Sequence, residues 1–394
     1  ETKKMLETSV AGISLKCCLY NASGPRTGSI EALAKIGSSK SGAILSKSAT
    51  LVKQDGNQLP RFINQVNLGD DYSQGSINSE GLPNLGIDYY ISAESIDTLK
   101  AYQKPYIISL SGIKLADNII MLEKALETPG ISAIELNLAC PNIPGKPIIG
   151  YDFEQLETVL AAITTVESFG RYPLGIKLPP YFDVSHFHKV AEIIIKYPIT
   201  YVVTINTIGN ALFVDAETES EGFLANNGLG GLGGGFVKHT ALANVRMFYK
   251  KFLELGRPDI DIVGVGGVHS GKDAFELILC GAKAVQVGTC HWTEGSECFE
   301  RIASELAELM RQKGYSNLED FRGRLKPYSR RAAKRDMKEG EKKRSGDSVG
   351  RGGERVTRGG DGVEKSGMVK EVERVLLGTL LVLLVVLLAV WYYG

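Results

Sequence analysis

The 394 residues are enough for one large domain or two ordinary ones, and 45 basic side chains balance 45 acidic ones. This neutrality argues against nucleic acid as a partner, because no overall field would attract it. Six scattered cysteines without a C-x-x-C motif, and five histidines without metal-ligand spacing, argue against a disulfide framework and a metal site. They predict a reducing, cytoplasmic compartment for the globular part. The chain begins at Glu1 rather than Met, which leaves the true N-terminus, and any targeting peptide before it, open.

Along the first 328 residues, short apolar runs alternate with helix-like stretches, the pattern of β–α units around a parallel sheet. The clear strand candidates are Ala43–Lys47, Tyr106–Leu110, Ala133–Leu138, Leu174–Leu178, Tyr201–Ile205, Asp261–Val265 and Ala284–Val287, and a weak eighth is Ser76–Asn78. Predicted helices include Phe153–Ser168, Val184–Lys196, Thr240–Leu255 and Lys272–Cys280. Eight strands in roughly 300 residues favour a (β/α)8 TIM barrel over a doubly wound sheet. The segment Val10–Tyr20 predicts a hairpin that closes the barrel floor.

Polar residues stand at successive ends of the predicted strands, where barrels of this kind carry their chemistry. They comprise two lysines, three amides and a thiol: Lys47, Lys177, Asn78, Asn137, Asn206 and Cys140. One lysine near a strand end is usually a surface residue, but this combination predicts a shared site. Cys140 lies between two carboxamides in the proline-framed run ACPNIPGKP, which is unlike the surroundings of a small buried apolar residue.

Glycines at the last two strand ends indicate a phosphate site. Gly266-Gly267 and Gly288-Thr289 occupy the positions where barrels usually bind phosphate, and glycine lets the backbone N–H groups approach it closely. The run Gly228–Gly235 suits either a flexible loop or backbone folded against a flat cofactor. The sequence has neither a P-loop nor an early G-x-G-x-x-G, which argues against a P-loop nucleotide site and a Rossmann nicotinamide site.

The composition changes near Tyr328. Residues 329–374 carry basic clusters and almost no aromatics, which predicts a disordered polar linker. The 19 residues 375–393 contain no charge, which predicts a transmembrane helix, because about 20 apolar residues span a bilayer. Trp391 would lie in one interfacial belt and Arg374 at the other. The alternatives are an artefactual end of the gene sequence and a buried core helix, although a soluble helix normally keeps a polar face.

Nine motifs between residues 10 and 328 follow one family order: NASG, SKSAT, INSEGLPNLG, ELNLACPNIPGKP, GIKLPPYFD, NTIGN, GGLGGGFV, GVGGVHSG and VQVGT. In these motifs the chain resembles the class 1A, fumarate-dependent dihydroorotate dehydrogenases, and the run CPN-x-PGKP followed by YDF is specific to that branch. The resemblance implies an FMN-bearing barrel that oxidises (S)-dihydroorotate to orotate in UMP synthesis and passes the electrons to fumarate, giving succinate. It also implies a homodimer.

The resemblance assigns site residues motif by motif. FMN would contact Ser23, Gly24, Lys47, Ser48, Asn137, Lys177, Ile205, Gly233, Gly234, Gly266, Gly267, Gly288 and Thr289. Substrate would contact Lys47, Asn78, Ser79, Glu80, Gly81, Leu82, Asn137, Asn142, Asn206 and Thr207. Cys140 would be the catalytic base. Lys177 would stabilise negative charge on the reduced flavin, and Lys47 would serve both the flavin and the substrate carboxylate.

Four positions depart from the family pattern. Glu80 stands where relatives usually carry Met beside the substrate, Thr207 replaces a usual Ser, and Val265 stands where Cys is common. The insertion Val66–Gln74 lengthens the approach to the substrate segment. The apolar tail is the largest departure, because this branch is normally soluble. Relatives that use quinone carry an N-terminal helical extension and a serine base, and neither is visible here.

Three other functions remain as alternatives at this stage. The first is a related FMN dehydrogenase that uses NAD or quinone as its oxidant. The second is a Schiff-base aldolase with Lys177 as the nucleophile. The third is a non-catalytic barrel that serves as a membrane-anchored scaffold.

Overall fold

The computed structural model describes residues 2–66, 75–143, 145 and 147–328. The strands are β1 Thr8–Val10, β2 Ile13–Leu15, β3 Leu19–Asn21, β4 Ile44–Leu45, β5 Phe62–Val66, β6 Gly75–Asn78, β7 Tyr106–Leu110, β8 Ala133–Asn137, β9 Leu174–Leu178, β10 Tyr201–Thr204, β11 Ile208–Leu212, β12 Val214–Asp215, β13 Ser220–Glu221, β14 Leu229–Gly234, β15 Asp261–Val265 and β16 Ala284–Val287. The α-helices are α1 Thr2–Met5, α2 Ile30–Ser38, α3 Ile87–Tyr90, α4 Ala93–Lys100, α5 Leu115–Glu127, α6 Phe153–Ile163, α7 Val184–Ile194, α8 Lys238–Glu254, α9 Gly271–Cys280, α10 Thr289–Glu294 and α11 Cys298–Gln312.

Eight parallel strands form the barrel, in the order β3-β16-β15-β10-β9-β8-β7-β4. The two end strands, β3 and β4, meet through the side chain of Asn21. Its Nδ2 donates to the carbonyl of Leu45 at 2.7 Å, and its Oδ1 accepts from the Leu45 N–H at 3.0 Å. The Gly42 N–H also donates to the Leu19 carbonyl at 2.7 Å. This ring confirms the predicted (β/α)8 barrel, because strands that neighbour one another along the chain also neighbour one another around it.

The eighth predicted strand was wrong. Residues 75–78 do form a strand, β6, but it belongs to a separate four-stranded antiparallel sheet with the order β11-β14-β6-β5. The missing barrel strand is β3, which the prediction placed in the N-terminal hairpin. That hairpin, β1–β2, ends at Leu15. A strand as short as Leu19–Asn21, ending in a polar residue, gives too little alternation to separate it from the hairpin.

The barrel interior is filled by side chains that alternate with those facing the helices. Tyr20, Leu45, Ile107, Tyr201 and Val263 belong to one buried inner cluster, while the helices pack on a second cluster outside the strands. At Gly175, an added Cβ would collide with the ring of Tyr201, so glycine makes room for this aromatic inside the barrel. The interior is therefore a packed core, and the free space lies at the strand ends.

The four predicted helices are present as α6, α7, α8 and α9, although α6 ends at Ile163 rather than at the predicted Ser168. Side chains cap the starts of α6, α7 and α9. Asp152 accepts from the Gln155 N–H at 3.0 Å at the start of α6, and Asp183 caps α7. At α9, Ser270 and Asp273 form a capping box. Such caps each stabilise a helix by about 1 kcal/mol, because they satisfy N–H groups that have no partner within the helix. The α9 cap also fixes the turn that follows Gly266-Gly267.

The chain divides into two units, Glu1–Lys326 and Pro327–Gly394. The predicted linker 329–374 and the predicted transmembrane helix 375–393 lie outside the described residues, so both stay predictions. Within the described ranges, no helix combines the length and apolarity needed to cross a membrane.

Candidate active site

A pocket with about 1010 Å³ of free space, its open mouth included, lies at the C-terminal ends of the barrel strands. All the residues predicted to bind the cofactor line it, together with Cys140 and the predicted substrate residues Lys47, Asn78, Glu80, Leu82, Asn137, Asn142, Asn206 and Thr207. The four-stranded sheet contributes part of the lining through β6 and β14. The structure thus brings the strand-end residues into one site.

Two of the predicted substrate residues, Ser79 and Gly81, do not line the pocket. Both lie against Asn57 instead: Asn57 Nδ2 donates to the Ser79 carbonyl at 3.0 Å, and a Cβ at Gly81 would collide with Asn57 Oδ1. The Ser79 N–H donates to the Arg61 carbonyl at 2.8 Å. Gly81 and Leu82 have φ values of 67° and 57°, so the chain turns here, and a motif match that carries over the whole run includes residues that the turn directs elsewhere.

Cys140 lies in the loop after β8 and is partly exposed within the pocket. Neighbouring amides hold this loop: Asn137 Oδ1 accepts from the Ala139 N–H at 3.0 Å, and Asn206 Nδ2 donates to the Ala139 carbonyl at 2.5 Å. Burial raises the pKa of the Cys140 thiol, and the Asn142 backbone N–H and the charge of Lys47 oppose that rise without cancelling it. The sequence left this direction open, and the structure gives a raised pKa.

Lys47 and Lys177 are the two lysines of the pocket, each only 5% exposed. Burial lowers the pKa of both ammonium groups, since the charged form loses hydration. The charges of Glu80 and Cys140 oppose the fall at Lys47, and Glu135 opposes it at Lys177. Within the described part of the chain, neither Nζ makes a hydrogen bond or an ion pair, so both keep their donors for a ligand.

The amides form a network that joins three loops around the pocket. Asn142 Nδ2 donates to Asn78 Oδ1 at 2.8 Å, and Asn78 Nδ2 donates to the Gly231 carbonyl at 3.3 Å. Asn137 Nδ2 donates to Ser48 Oγ at 3.2 Å. Asn142 Oδ1 is buried without a hydrogen-bond partner among the described residues, so one acceptor remains for a ligand or a water.

The glycines bring backbone close to the pocket. Gly266 and Gly267 have φ values of 128° and 71°, a conformation in which consecutive N–H groups can face an anion. The Gly228–Gly235 run does not form a loop: most of it is β14, paired with β6 and β11. A Cβ at Gly231 would collide with Thr207 Oγ1, which explains why the strand needs glycine beside the pocket. These features fit a bound phosphate and a flat ring system.

Several lining residues were missed by sequence reasoning: Ala22, Phe62, Ser76, Pro141, Val237, Val265 and Val268. Ser76 precedes Asn78 by two residues on β6 and therefore faces the same side, a signal that strand alternation could have given. Its Oγ lies 2.9 Å from Thr289 Oγ1. Phe62 comes from β5 and packs on Trp292 with ring centroids 4.6 Å apart. Because β5 lies outside the barrel, no strand-end argument could find Phe62.

Fold and site together define a barrel enzyme with a thiol and two buried lysines at its mouth, and comparisons with known proteins identify its family. The sequence model of dihydroorotate dehydrogenase matches residues 5–310. A relative in Lactococcus lactis subsp. cremoris, "Dihydroorotate dehydrogenase A (fumarate)", is 46% identical over 323 residues, which are 82% of this chain and 99% of the relative. "Dihydroorotate dehydrogenase (fumarate)" of Saccharomyces mikatae is 47% identical over 306 residues, 77% of this chain and 93% of the relative.

The fold also resembles solved structures. The DHODH of Eimeria tenella in complex with ferulenol matches with a TM-score of 0.64 at 19% identity, over 81% of this chain and 88% of that one. The ligand-free form matches with a TM-score of 0.66 at 20% identity, over 82% and 92%. At this identity the likeness concerns the fold alone. By the sequence matches, the chain belongs to the dihydroorotate dehydrogenase family.

Proposed function

We propose that the protein oxidises (S)-dihydroorotate to orotate with bound FMN and passes the electrons to fumarate, giving succinate, in UMP synthesis. The observation that carries the proposal is the convergence of Cys140, Lys47 and Lys177 with the strand-end glycines in one pocket. The printed names of the relatives, which specify fumarate, support the choice of oxidant.

The pocket residues divide between the two ligands. Gly266, Gly267, Gly288 and Thr289 would hold the FMN phosphate, because the three glycines let the backbone N–H groups of these turns approach an anion closely. Lys177 and Asn137, at the C-terminal ends of β9 and β8, would contact the ring system. When bound, FMN supplies a hydride acceptor that no side chain can replace.

Cys140 performs the proton chemistry in this proposal. Making the double bond of orotate requires a proton to leave one carbon of dihydroorotate while a hydride leaves its neighbour. The Cys140 thiolate takes that proton and becomes a thiol. In the second half-reaction the same thiol returns a proton to fumarate, whose other alkene carbon receives the hydride, so succinate leaves and the thiolate is regenerated.

The amides and Lys47 position the substrate. Each carboxamide offers both donors and an acceptor, which matches a ring edged with N–H and C=O groups. The unpaired Asn142 Oδ1 is one such acceptor. Lys47 carries its free ammonium group into the pocket, where it can bind the carboxylate that dihydroorotate and fumarate both possess.

The experiment that tests this proposal is a visible absorption spectrum of the purified protein. It should be yellow, with FMN bound in a stoichiometric amount, and anaerobic dihydroorotate should bleach it. A colourless protein, or a yellow protein that dihydroorotate does not bleach, would overturn the proposal. A borohydride-trappable lysine in a colourless protein would favour the aldolase alternative instead.

Two further parts of the proposal concern assembly and location. A second copy of the chain is the proposed partner, an idea supported by the family resemblance alone. The charge-free run 375–393 is the proposed membrane anchor for an otherwise cytoplasmic catalytic unit, supported by its length and composition. Neither part bears on the chemistry of the pocket.

A further inference from the structure

A carboxyl group with no role in the proposed chemistry lies inside the barrel, below the pocket. Glu135 is fully buried on β8, and its Oε2 accepts a hydrogen bond of 2.7 Å from Gln286 Nε2 on β16. In the ring of eight strands, β8 and β16 are four positions apart, so this bond crosses the barrel. Glu135 Oε1 is buried without a hydrogen-bond partner among the described residues. A buried carboxylate with one oxygen unpaired destabilises the folded protein unless a nearby cation compensates its charge.

The strand register places Lys177 next to this carboxyl group. Asn137 pairs with Lys177 and Glu135 pairs with Gly175 across β8 and β9. Asn137 lines the pocket, and Glu135, two residues earlier, faces the same interior. Neighbouring strands lie about 4.8 Å apart and rise about 3.3 Å per residue, so the Glu135 and Lys177 side chains start about 8 Å apart. Two long side chains can bring their charges much closer than that.

The other titratable groups that face Glu135 or Lys177 are Tyr20, Tyr201 and Lys47. Tyr20 on β3 and Tyr201 on β10 face Glu135, and burial raises the pKa of both phenols well above the usual value, so both stay neutral in the working range. Lys47 faces Lys177 from the loop after β4, and the two cations repel each other. Gln286 is polar but does not titrate. Burial raises the pKa of the Glu135 carboxyl, and the charge of Lys177 and the Gln286 hydrogen bond oppose that rise. Lys177 is thus the cation that favours the ionised form of Glu135, and Glu135 is the anion that favours the protonated form of Lys177.

We propose that Glu135 is a positioning residue that acts through Lys177, as the buried counter-charge that keeps this lysine protonated beneath the cofactor. The inference rests on the proposed function, because Lys177 matters only if a flavin is bound above it. Glu135 does not line the pocket, so it would touch neither cofactor nor substrate. Its effect is to let a fully buried lysine hold a positive charge where negative charge appears during reduction.

Replacing Glu135 by Gln should lower the pKa of Lys177, because burial then acts without its opposing charge. Below the new pKa, Lys177 stays charged and the flavin potential should equal or exceed that of the wild type. Above it, oxidised enzyme loses the Lys177 proton and must regain it on reduction. One additional proton per two electrons makes the potential fall about 30 mV more steeply per pH unit.

The experiment is therefore the midpoint potential of the bound flavin as a function of pH, measured by equilibration with reference dyes. For Glu135→Gln we expect the steeper slope to begin at a lower pH than in the wild type. A profile parallel to the wild type, or a uniformly higher potential, would overturn the inference. If the wild-type protein binds no flavin at all, the proposed function fails first, so the two failures are distinguishable.

Two controls separate charge from packing. Tyr20→Phe removes a neutral hydroxyl that lies 3.3 Å from Gln286 Nε2 in the same buried network, and it should leave the slope unchanged. A steeper slope in Tyr20→Phe would mean that the network's packing, not its charge, is responsible. In a protein that already carries Lys177→Met, adding Glu135→Gln should not change how steeply the flavin potential falls with pH. A steeper fall in that double variant would contradict the inference that Glu135 acts through Lys177.

If Glu135→Gln is too unstable for redox titration, the double variant Glu135→Gln/Lys177→Met decides the question. Removing Glu135 alone leaves the buried charge of Lys177 without compensation, whereas removing both groups does not. The double variant should then unfold at a higher temperature than Glu135→Gln, or give folded protein where the single variant gives none. A double variant no more stable than the single one would show that the two charges do not compensate each other.

Discussion

Cys140 experiences two opposing influences, and their balance sets the expected pH dependence. Burial, the larger influence, raises the pKa of the thiol, while Lys47 and the Asn142 N–H lower it. An ordinary thiol has a pKa of about 8.5, so a raised value leaves little thiolate at neutral pH. Flavin reduction by dihydroorotate should therefore accelerate through the neutral and alkaline range, and level off only above the ordinary thiol pKa.

Replacing Cys140 by Ser tests the base directly. Orotate should bind almost normally, because hydroxyl and thiol differ little in shape. The reductive half-reaction, followed by stopped-flow bleaching, should slow by ~10² to 10⁴-fold, the usual contribution of a general base. Near-normal bleaching in Cys140→Ala, with an unchanged pH profile, would remove the base assignment.

Glu80 is the second residue whose charge has a predictable effect. Its side chain lines the pocket, and its charge raises the pKa of Lys47. A carboxylate here also repels an anionic substrate. Glu80→Gln keeps the shape and removes the charge, so orotate should bind several-fold tighter near neutral pH, a gain of about 1 kcal/mol. In Glu80→Gln, orotate binding should begin to weaken at a lower pH than in the wild type. The reason is that the pKa of Lys47 falls further when the charge of Glu80 no longer opposes the effect of burial.

Titrating the flavin spectrum with orotate at several pH values measures both effects of Glu80. Glu80→Met replaces the carboxylate by an uncharged side chain of similar size, so it should also tighten orotate binding. An unchanged dissociation constant in both variants would mean that the Glu80 carboxylate does not act on the ligand.

At the level of elements, two turns carry a matched pair of glycines: Gly267 follows β15, and Gly256 follows α8. Gly267 and Gly256 both have a φ of 71°, but only Gly267 lines the pocket. A Cβ at Gly267 would press on Lys238 at the start of α8, whereas at Gly256 it would meet nothing within 4 Å. Alanine at either position costs about 1 kcal/mol of backbone strain.

We expect Gly267→Ala to release FMN much more readily, because the turn that faces the phosphate must shift. Gly256→Ala should lose stability without losing FMN affinity. Fluorescence of the released flavin on dilution measures the affinity, and thermal unfolding measures the stability. Equal FMN affinity in the two variants would contradict the placement of the phosphate at this turn.

Barrel strands whose apolar residues match their buried position could be predicted from the sequence. The strands Tyr106–Leu110, Leu174–Leu178, Asp261–Val265 and Ala284–Val287 have the predicted bounds, because each is a short, mostly apolar run that is buried almost throughout. The prediction failed where an element is short or atypical. β3 has only three residues, and β14 is a strand made mostly of glycine, which β-propensity would not assign.

The site residues at the ends of the barrel strands could also be predicted from the sequence, whereas Phe62 of the added sheet could not. Strand-end residues such as Asn137 and Lys177 converge because parallel strands end on one side of a barrel. Residues supplied by the added sheet, such as Phe62, required the three-dimensional packing. The effects of Glu80 on Lys47 and of Glu135 on Lys177 likewise depend on how close the side chains come in three dimensions, which one sequence does not contain.

At the scale of the whole molecule, the catalytic unit should work without the tail. All the pocket residues lie between residues 22 and 289, so a chain ending at Tyr328 should keep full activity. If residues 375–393 form an anchor, the full chain should fractionate with membranes and the shortened chain should not. Full-length protein found only in the soluble fraction would end the anchor proposal. Loss of activity on shortening would implicate the tail in folding.

The proposed chemistry is tested by following both half-reactions in one anaerobic sample. Dihydroorotate is added to the yellow enzyme until the flavin is bleached, and fumarate, NAD or a quinone is then added to separate portions. We predict that fumarate restores the colour and that orotate and succinate form in equal amounts. Recovery of colour only with NAD or quinone, or orotate without succinate, would contradict the account.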